Sequence, residues 1–209
     1  MARRPRQKRE LTRLRLIEAT IQSIVDVGLP DTTVSNIMQR AGLSRGMLHL
    51  YFSSKEELLV ATAAYFAENY YEKQAGFIEK AGADPLDRLK AMIEADLSDV
   101  LLNRESTSLW YALRSIAHTN EDIRKHATTR DRRLFEMYSD LFEELMTKGK
   151  KQGLTALELA YGLTAMTEGM WMDYFLFPAN FNREKAKDIV LAFVASQIDL
   201  SEGQLKSLK

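Results

Sequence analysis

Apolar residues recur along this chain at steps of three and four, the period of one helix face. Leu14, Ile17, Ile21 and Ile24 form the first stripe, which ends at Gly28. A second, Leu86, Leu89, Ile93, Leu97 and Val100, opens with Asp84 as N-cap and Pro85 in the first turn. Leu134, Tyr138, Leu141 and Leu145 form a third, closed by Gly149. Thr155 and Glu158 make a capping box that starts a helix running to about Phe177. Asn182 caps a last helix with Ile189, Val190, Phe193 and Gln197 on one face. Shorter helical pieces are expected near 33–40, 44–50, 54–81 and 106–117. No stretch sustains the two-residue alternation of a strand, and no Asn-Gly or Asp-Gly pair marks a hairpin. Pro5, Pro30, Pro85 and Pro178 fall where stripes begin or stop. The pattern predicts an all-α fold of about nine helices.

Composition narrows the function classes. The 209 residues suffice for a large core without a metal or disulfide staple. There is no cysteine, so thiolate catalysis and Cys-based zinc sites are excluded. No apolar run approaches the roughly 20 residues that span a bilayer. The basic start, Met1–Arg9, has no apolar stretch behind it and does not read as a signal peptide. A cytoplasmic protein with no membrane partner is expected. The formal net charge of zero conceals an asymmetry. Residues 1–55 hold ten Lys or Arg and four acids, while the remainder holds nineteen and twenty-five. A basic end on an acidic body suggests that one end meets a polyanion.

Residues 33–52 carry the most specific signal. A short helix with Val34, Ile37 and Met38 inward ends at Ala41-Gly42-Leu43, with Gly42 supplying a left-handed turn. Ser44 is then read as the cap of a second short helix, Arg45 to Leu50, followed by Tyr51-Phe52. Two helices joined by a tight glycine turn make a helix-turn-helix, whose second helix enters the DNA major groove. Arg45 suits a bidentate bond to guanine, and Met47 and His49 suit base-edge contacts. Thr33, Tyr51 and Lys55 suit phosphates. A plain helical hairpin would use Gly42 and Ser44 equally well, so the turn alone leaves both readings open.

The wider stretch 10–60 resembles the N-terminal domain of the tetracycline-repressor (TetR) family. The resemblance lies in Val27-Gly28, Thr33, Ile37-Met38, Ala41-Gly42-Leu43-Ser44, Gly46, Leu48-His49, Tyr51-Phe52, Lys55 and Glu57-Leu58-Leu59. Met38 replaces a usual small residue, and His49 a common tyrosine. The resemblance implies a helix-turn-helix DNA-binding domain over 1–55 and a helical ligand-binding and dimerisation domain over 56–209. It assigns DNA contacts to Thr33, Ser44, Arg45, Gly46, Met47, His49, Leu50, Tyr51 and Lys55. It also implies a repressor that grips a palindromic double-stranded operator as a homodimer and is released by a small-molecule inducer. Trp110, Arg132-Arg133 and the run from Tyr161-Gly162-Leu163 to Glu168-Gly169-Met170-Trp171 resemble the choline-sensing betaine repressors of that family. Arg114 stands where that group carries a second tryptophan, and a cation there would repel choline.

On the helix 155–177, Tyr161, Thr164, Glu168, Trp171 and Phe175 follow one stripe beside a seam of small residues, Gly162, Ala165 and Gly169. The seam, with Ile189, Val190 and Phe193 of the last helix, reads as a two-fold four-helix interface, or as packing within one chain. Glu168 among aromatics is either one half of an ion pair, with Arg114 or across a dimer, or part of a cage for a cation. An inducer pocket of Trp110, Arg114, Glu168, Trp171 and Phe175 is expected, for a choline-like cation or a neutral aromatic. Enzyme chemistry has little support: His49, His118 and His126 lack carboxylates at ligand spacing, and no phosphate-cradling or nucleophile motif is present. Neither a metal nor a cofactor is expected. A non-specific architectural DNA binder is the alternative, but it would spread basic charge over the whole chain.

Overall fold

The computed structural model describes residues 3–148, 153–201 and 203. Its helices are α1 (Arg3–Asp31), α2 (Val34–Arg40), a 3-10 segment (Arg45–Leu50), α3 (Lys55–Lys80), α4 (Pro85–Asp96), α5 (Arg104–Ala117), α6 (Glu121–Lys148), α7 (Ala156–Leu176) and α8 (Arg183–Gln197). No strand occurs among the described residues, so the fold is all-α as the stripes predict.

The local chemistry explains where most helices start. Asp84 accepts hydrogen bonds from the amides of Leu86 (2.9 Å) and Asp87 (3.3 Å) at the head of α4. Thr155 and Glu158 close their reciprocal box at the head of α7, and Asn182 accepts from the Lys185 amide (2.9 Å) at the head of α8. α1 is broken at Gly28, whose φ of 79° is available at low cost only to glycine.

Two boundaries differ from the expected ones. α4 stops at Asp96 because Ser98 turns back, its amide (3.0 Å) and hydroxyl (2.7 Å) both donating to the Ala95 carbonyl. Val100 is therefore exposed and outside the helix. α6 begins at Glu121, well before its apolar stripe, because Asn120 accepts from the Ile123 amide (3.0 Å). The polar run between these points hides the first turns from a search for apolar periodicity. The expected stop at Gly149 lies outside the described residues.

The chain forms two compact units, and neither is continuous in sequence. The first comprises residues 1–69 and 104–128, the second 70–103 and 129–209. In the first unit α5 packs against α1, and its Leu109 and Leu113, with Ile123 of α6, complete the core built by Leu16, Ile24, Ile37, Met38, Leu48, Phe52 and Leu58. In the second unit α8 packs against α4 and α7. Leu89, Met92, Ile93, Phe142, Leu163, Val190 and Val194 are fully buried there. The guanidinium of Arg183 donates to the carbonyls of Leu97 and Leu102 (2.9 Å to the latter), tying the start of α8 to the turn after α4.

Candidate functional site

In the first unit, α2 and the 3-10 segment are joined by the turn Ala41-Gly42-Leu43. Gly42 takes a φ of 64°, and the Gly42 and Leu43 amides donate back to Gln39 (3.1 Å) and Met38 (3.0 Å). Thr33 caps α2, its hydroxyl oxygen accepting from the Asn36 amide (3.2 Å). That hydroxyl keeps its own proton for a further acceptor. Ser44 does not cap the following segment with its side chain, as the sequence suggested. Its backbone carbonyl instead accepts from the Met47 amide (2.9 Å), the i→i+3 spacing of a 3-10 turn. Six residues including Gly46 are too few to nucleate a cooperative α-helix unaided.

The segment divides cleanly between core and solvent. Leu48 is buried, and Met47 and Tyr51 pack partly against the core. Ser44, Arg45, Gly46, His49 and Leu50 are exposed, as is Thr33, while Lys55 is half-buried. Gly46 has open space around the position a Cβ would take. His49 Nδ1 lies 3.3 Å from the Ser53 carbonyl.

Part of the basic charge of the N-terminal region faces inward to the turn. Arg15 donates to the Ala41 carbonyl (2.8 Å), Arg13 to the Tyr51 carbonyl, and Arg9 to the Leu50 carbonyl (3.4 Å). The Arg13 guanidinium also lies 4.1 Å above the Phe52 ring. Arg40 pairs with Asp26 of α1 at 2.7 Å. These cations complement the carbonyl ends of α2 and the 3-10 segment, where helix dipoles are negative. The charge count of residues 1–55 did not separate them from Arg45, which stands exposed at the segment's N-terminal end.

The five residues expected to form an inducer pocket fall in both units. In the first, Trp110 is buried, lies 6.3 Å from the Phe66 ring, and has the Arg114 guanidinium 5.0 Å from its own ring centroid. In the second, Trp171 is buried, its indole N–H donating to the Asp96 carbonyl (3.0 Å) and its ring 6.1 Å from Tyr70. The Tyr70 hydroxyl donates to the Asp96 carboxylate. Glu168 is half-buried and Phe175 exposed. The stripe drawn from Tyr161 to Phe175 thus lies on the boundary of α7's two faces, with Trp171 turned inward and Tyr161, 72% exposed, turned outward. Tyr70, Gln74 and Asp96 were not singled out in the sequence. The available signal was Asp96 on the stripe that continues Leu89 and Met92.

The expected interface residues also divide. A Cβ at Gly162 would meet Phe193 Cζ of the same chain at 3.3 Å, so this glycine admits the α8 ring. Val190 is fully buried within its own chain. Ala165, Gly169 and Ile189 are exposed, Phe193 is half-buried, and a Cβ at Gly169 would meet nothing within 4 Å. Around them the outer face of α7 carries Leu157, Tyr161, Met172 and Leu176, all exposed.

Among the described residues no cluster of His, Cys, Asp or Glu is arranged to hold a metal, and no helix is long and apolar enough to cross a membrane. Residues 16–62 match the tetR family of bacterial regulatory proteins, and residues 85–199 match the family described as the C-terminal domain of BetI-type transcriptional repressors. The HTH-type transcriptional regulator BetI of Stenotrophomonas maltophilia is 30% identical over 89% of this chain and 92% of its own length. A putative transcriptional regulator from Pseudomonas aeruginosa PAO1 superposes with a TM-score of 0.80 at 24% identity, over 90% of both chains. One from Saccharomonospora viridis, solved in complex with choline, superposes with a TM-score of 0.82 at 20% identity, over 92% of this chain and 100% of its own. With a helix-turn-helix at one end and a BetI-type match across most of the rest, this chain belongs to the TetR family of transcriptional regulators.

Proposed function

We propose that the protein is a cytoplasmic repressor that binds a palindromic operator as a homodimer and is released by a small organic cation of the choline type. The observation that carries this reading is the double family match, with the DNA-binding motif and the BetI-type domain in one chain. The cation is supported by the choline-bound fold relative and by the aromatic faces of Tyr70 and Trp171 beside the Asp96 carboxylate. Glu168 and Phe175, on the same helix as Trp171, belong to this reading, and Arg114, stacked on Trp110, belongs to the first unit. The dimer is supported by the exposed apolar face of α7, since such a face is unusual on a monomer.

In DNA binding, Arg45, Met47 and His49 meet base edges in this scheme. Thr33, Ser44, Tyr51 and Lys55 meet the backbone, Leu50 makes an apolar contact, and Gly46 admits close approach. Arg45→Ala should cost about 1–3 kcal/mol, concentrated at one base position per half-site. Lys55→Ala should weaken all sequences alike and reduce the salt slope by about one. Competition binding across operator variants and salt concentrations reads both. A uniform loss from Arg45→Ala, with base preference unchanged, would overturn the assignment.

A further inference from the structure

Gln74 sits on α3 one turn after Tyr70 and is 1% exposed. Neither its amide nitrogen nor its carbonyl oxygen has a hydrogen-bond partner among the described residues. Buried amides in folded proteins are nearly always paired, and an unpaired one is costly enough to call for an occupant. Side chains four residues apart stack on one helix face, so Gln74 continues the face on which Tyr70 meets Trp171 and Asp96. All four residues are buried in the second unit. We propose that Gln74 is the specificity residue of the effector site in this unit, its carboxamide binding the hydroxyl of a small hydroxylated organic cation. This rests on the reading of the protein as a regulator released by a choline-type cation, and adds which end of the ligand is read and by which side chain.

The chemistry of the carboxamide selects the group. Gln74 presents a donor and an acceptor side by side, and a hydroxyl is the smallest group that answers both. A carboxylate answers only the amide N–H, sets its lone pairs against the Gln74 oxygen, and adds negative charge to a unit that already buries Asp96. An alkyl end answers neither. A site built to hydrogen-bond a hydroxyl rejects the analogue lacking it, because its own buried polar groups are then left unpaired. The rings of Tyr70 and Trp171 suit the cationic head.

Calorimetric titration of the full-length protein with choline, propyltrimethylammonium (a methyl replacing the hydroxyl) and glycine betaine (a carboxylate) tests this. Choline should bind the wild type at least about tenfold more tightly than either analogue. Gln74→Leu should bring choline and propyltrimethylammonium to within about twofold of one another, and Gln74→Met should do the same if the leucine variant fails to fold. Wild-type affinity for either analogue equal to that for choline, or a choline preference that survives both substitutions, would overturn the role of Gln74 while leaving the cation reading intact. An internal water holding the amide gives that result. Binding of none of the three overturns both.

Discussion

The guanidinium of Arg13 serves two groups at once, donating to the Tyr51 carbonyl while lying over the Phe52 ring. Lysine could supply the charge but not the flat face that stacks. Arg13 is therefore a positioning residue: it holds the end of the 3-10 segment whose exposed side carries Arg45 and His49. Arg13→Gln should weaken specific operator binding by about tenfold, the scale of one net charge-assisted bond. The slope of log affinity against log salt should stay unchanged, since no phosphate contact is lost. A slope reduced by about one, with specificity intact, would place Arg13 on the DNA backbone instead. At this scale the sequence was legible where spacing is local, as in Ala41-Gly42-Leu43. It was opaque where one residue type has several uses. Arg9, Arg13 and Arg15 look like Arg45 in a charge count, and only their carbonyl partners distinguish them.

Helix starts were the most readable elements, because a cap and its amides lie within three residues of each other. The capping box at Thr155 illustrates this, and α3 uses a related device. The Ser53 hydroxyl (2.7 Å) and amide (2.6 Å) both donate to Glu57, while Ser54 accepts from the Glu57 amide (3.1 Å). Hydrogen bonds from Ser53 hold the Glu57 carboxyl below its ordinary value, and the Thr155 amide and hydroxyl do the same for Glu158. A carboxyl group lowered on folding contributes stability that is present above its unfolded value and lost as pH falls through the folded one. The double variant Glu57→Gln, Glu158→Gln should thus melt below the wild type at neutral pH and converge with it below about pH 4. A gap that stays constant across thermal melts from neutral to acid pH would show that the charge is not responsible. Helix ends were less readable. The stop at Asp96 depends on Ser98 folding back, and a polar residue beside an apolar stripe does not announce that turn.

For the whole molecule, the outer face of α7 carries the prediction. Gly169 has room in its own chain, so Gly169→Leu reports what a partner places there, whereas Gly162→Leu would disturb Phe193 of the same chain. Tyr161→Arg and Gly169→Leu should each shift a dimer toward monomer in light scattering, with helical content by circular dichroism unchanged. Dimers that persist in both would move the interface off this face. The helical stripes indicated that such a face exists. They did not separate Val190 from Ile189, because adjacent positions on a slim helix differ only once their neighbours are in place. The tertiary division was likewise invisible to local pattern, since Leu109, Leu113 and Ile123 join a core begun some ninety residues earlier. That joining bears on how regulators of this kind can be recombined. The chain passes between its units three times, after Asn69, Asn103 and Thr128. A chimera that grafts residues 1–55 onto another sensor would leave α1 without the α5 surface it packs against. To retain its own core, a transplanted DNA reader from this chain must bring residues 104–128 with it, and the recipient must accept three junctions rather than one.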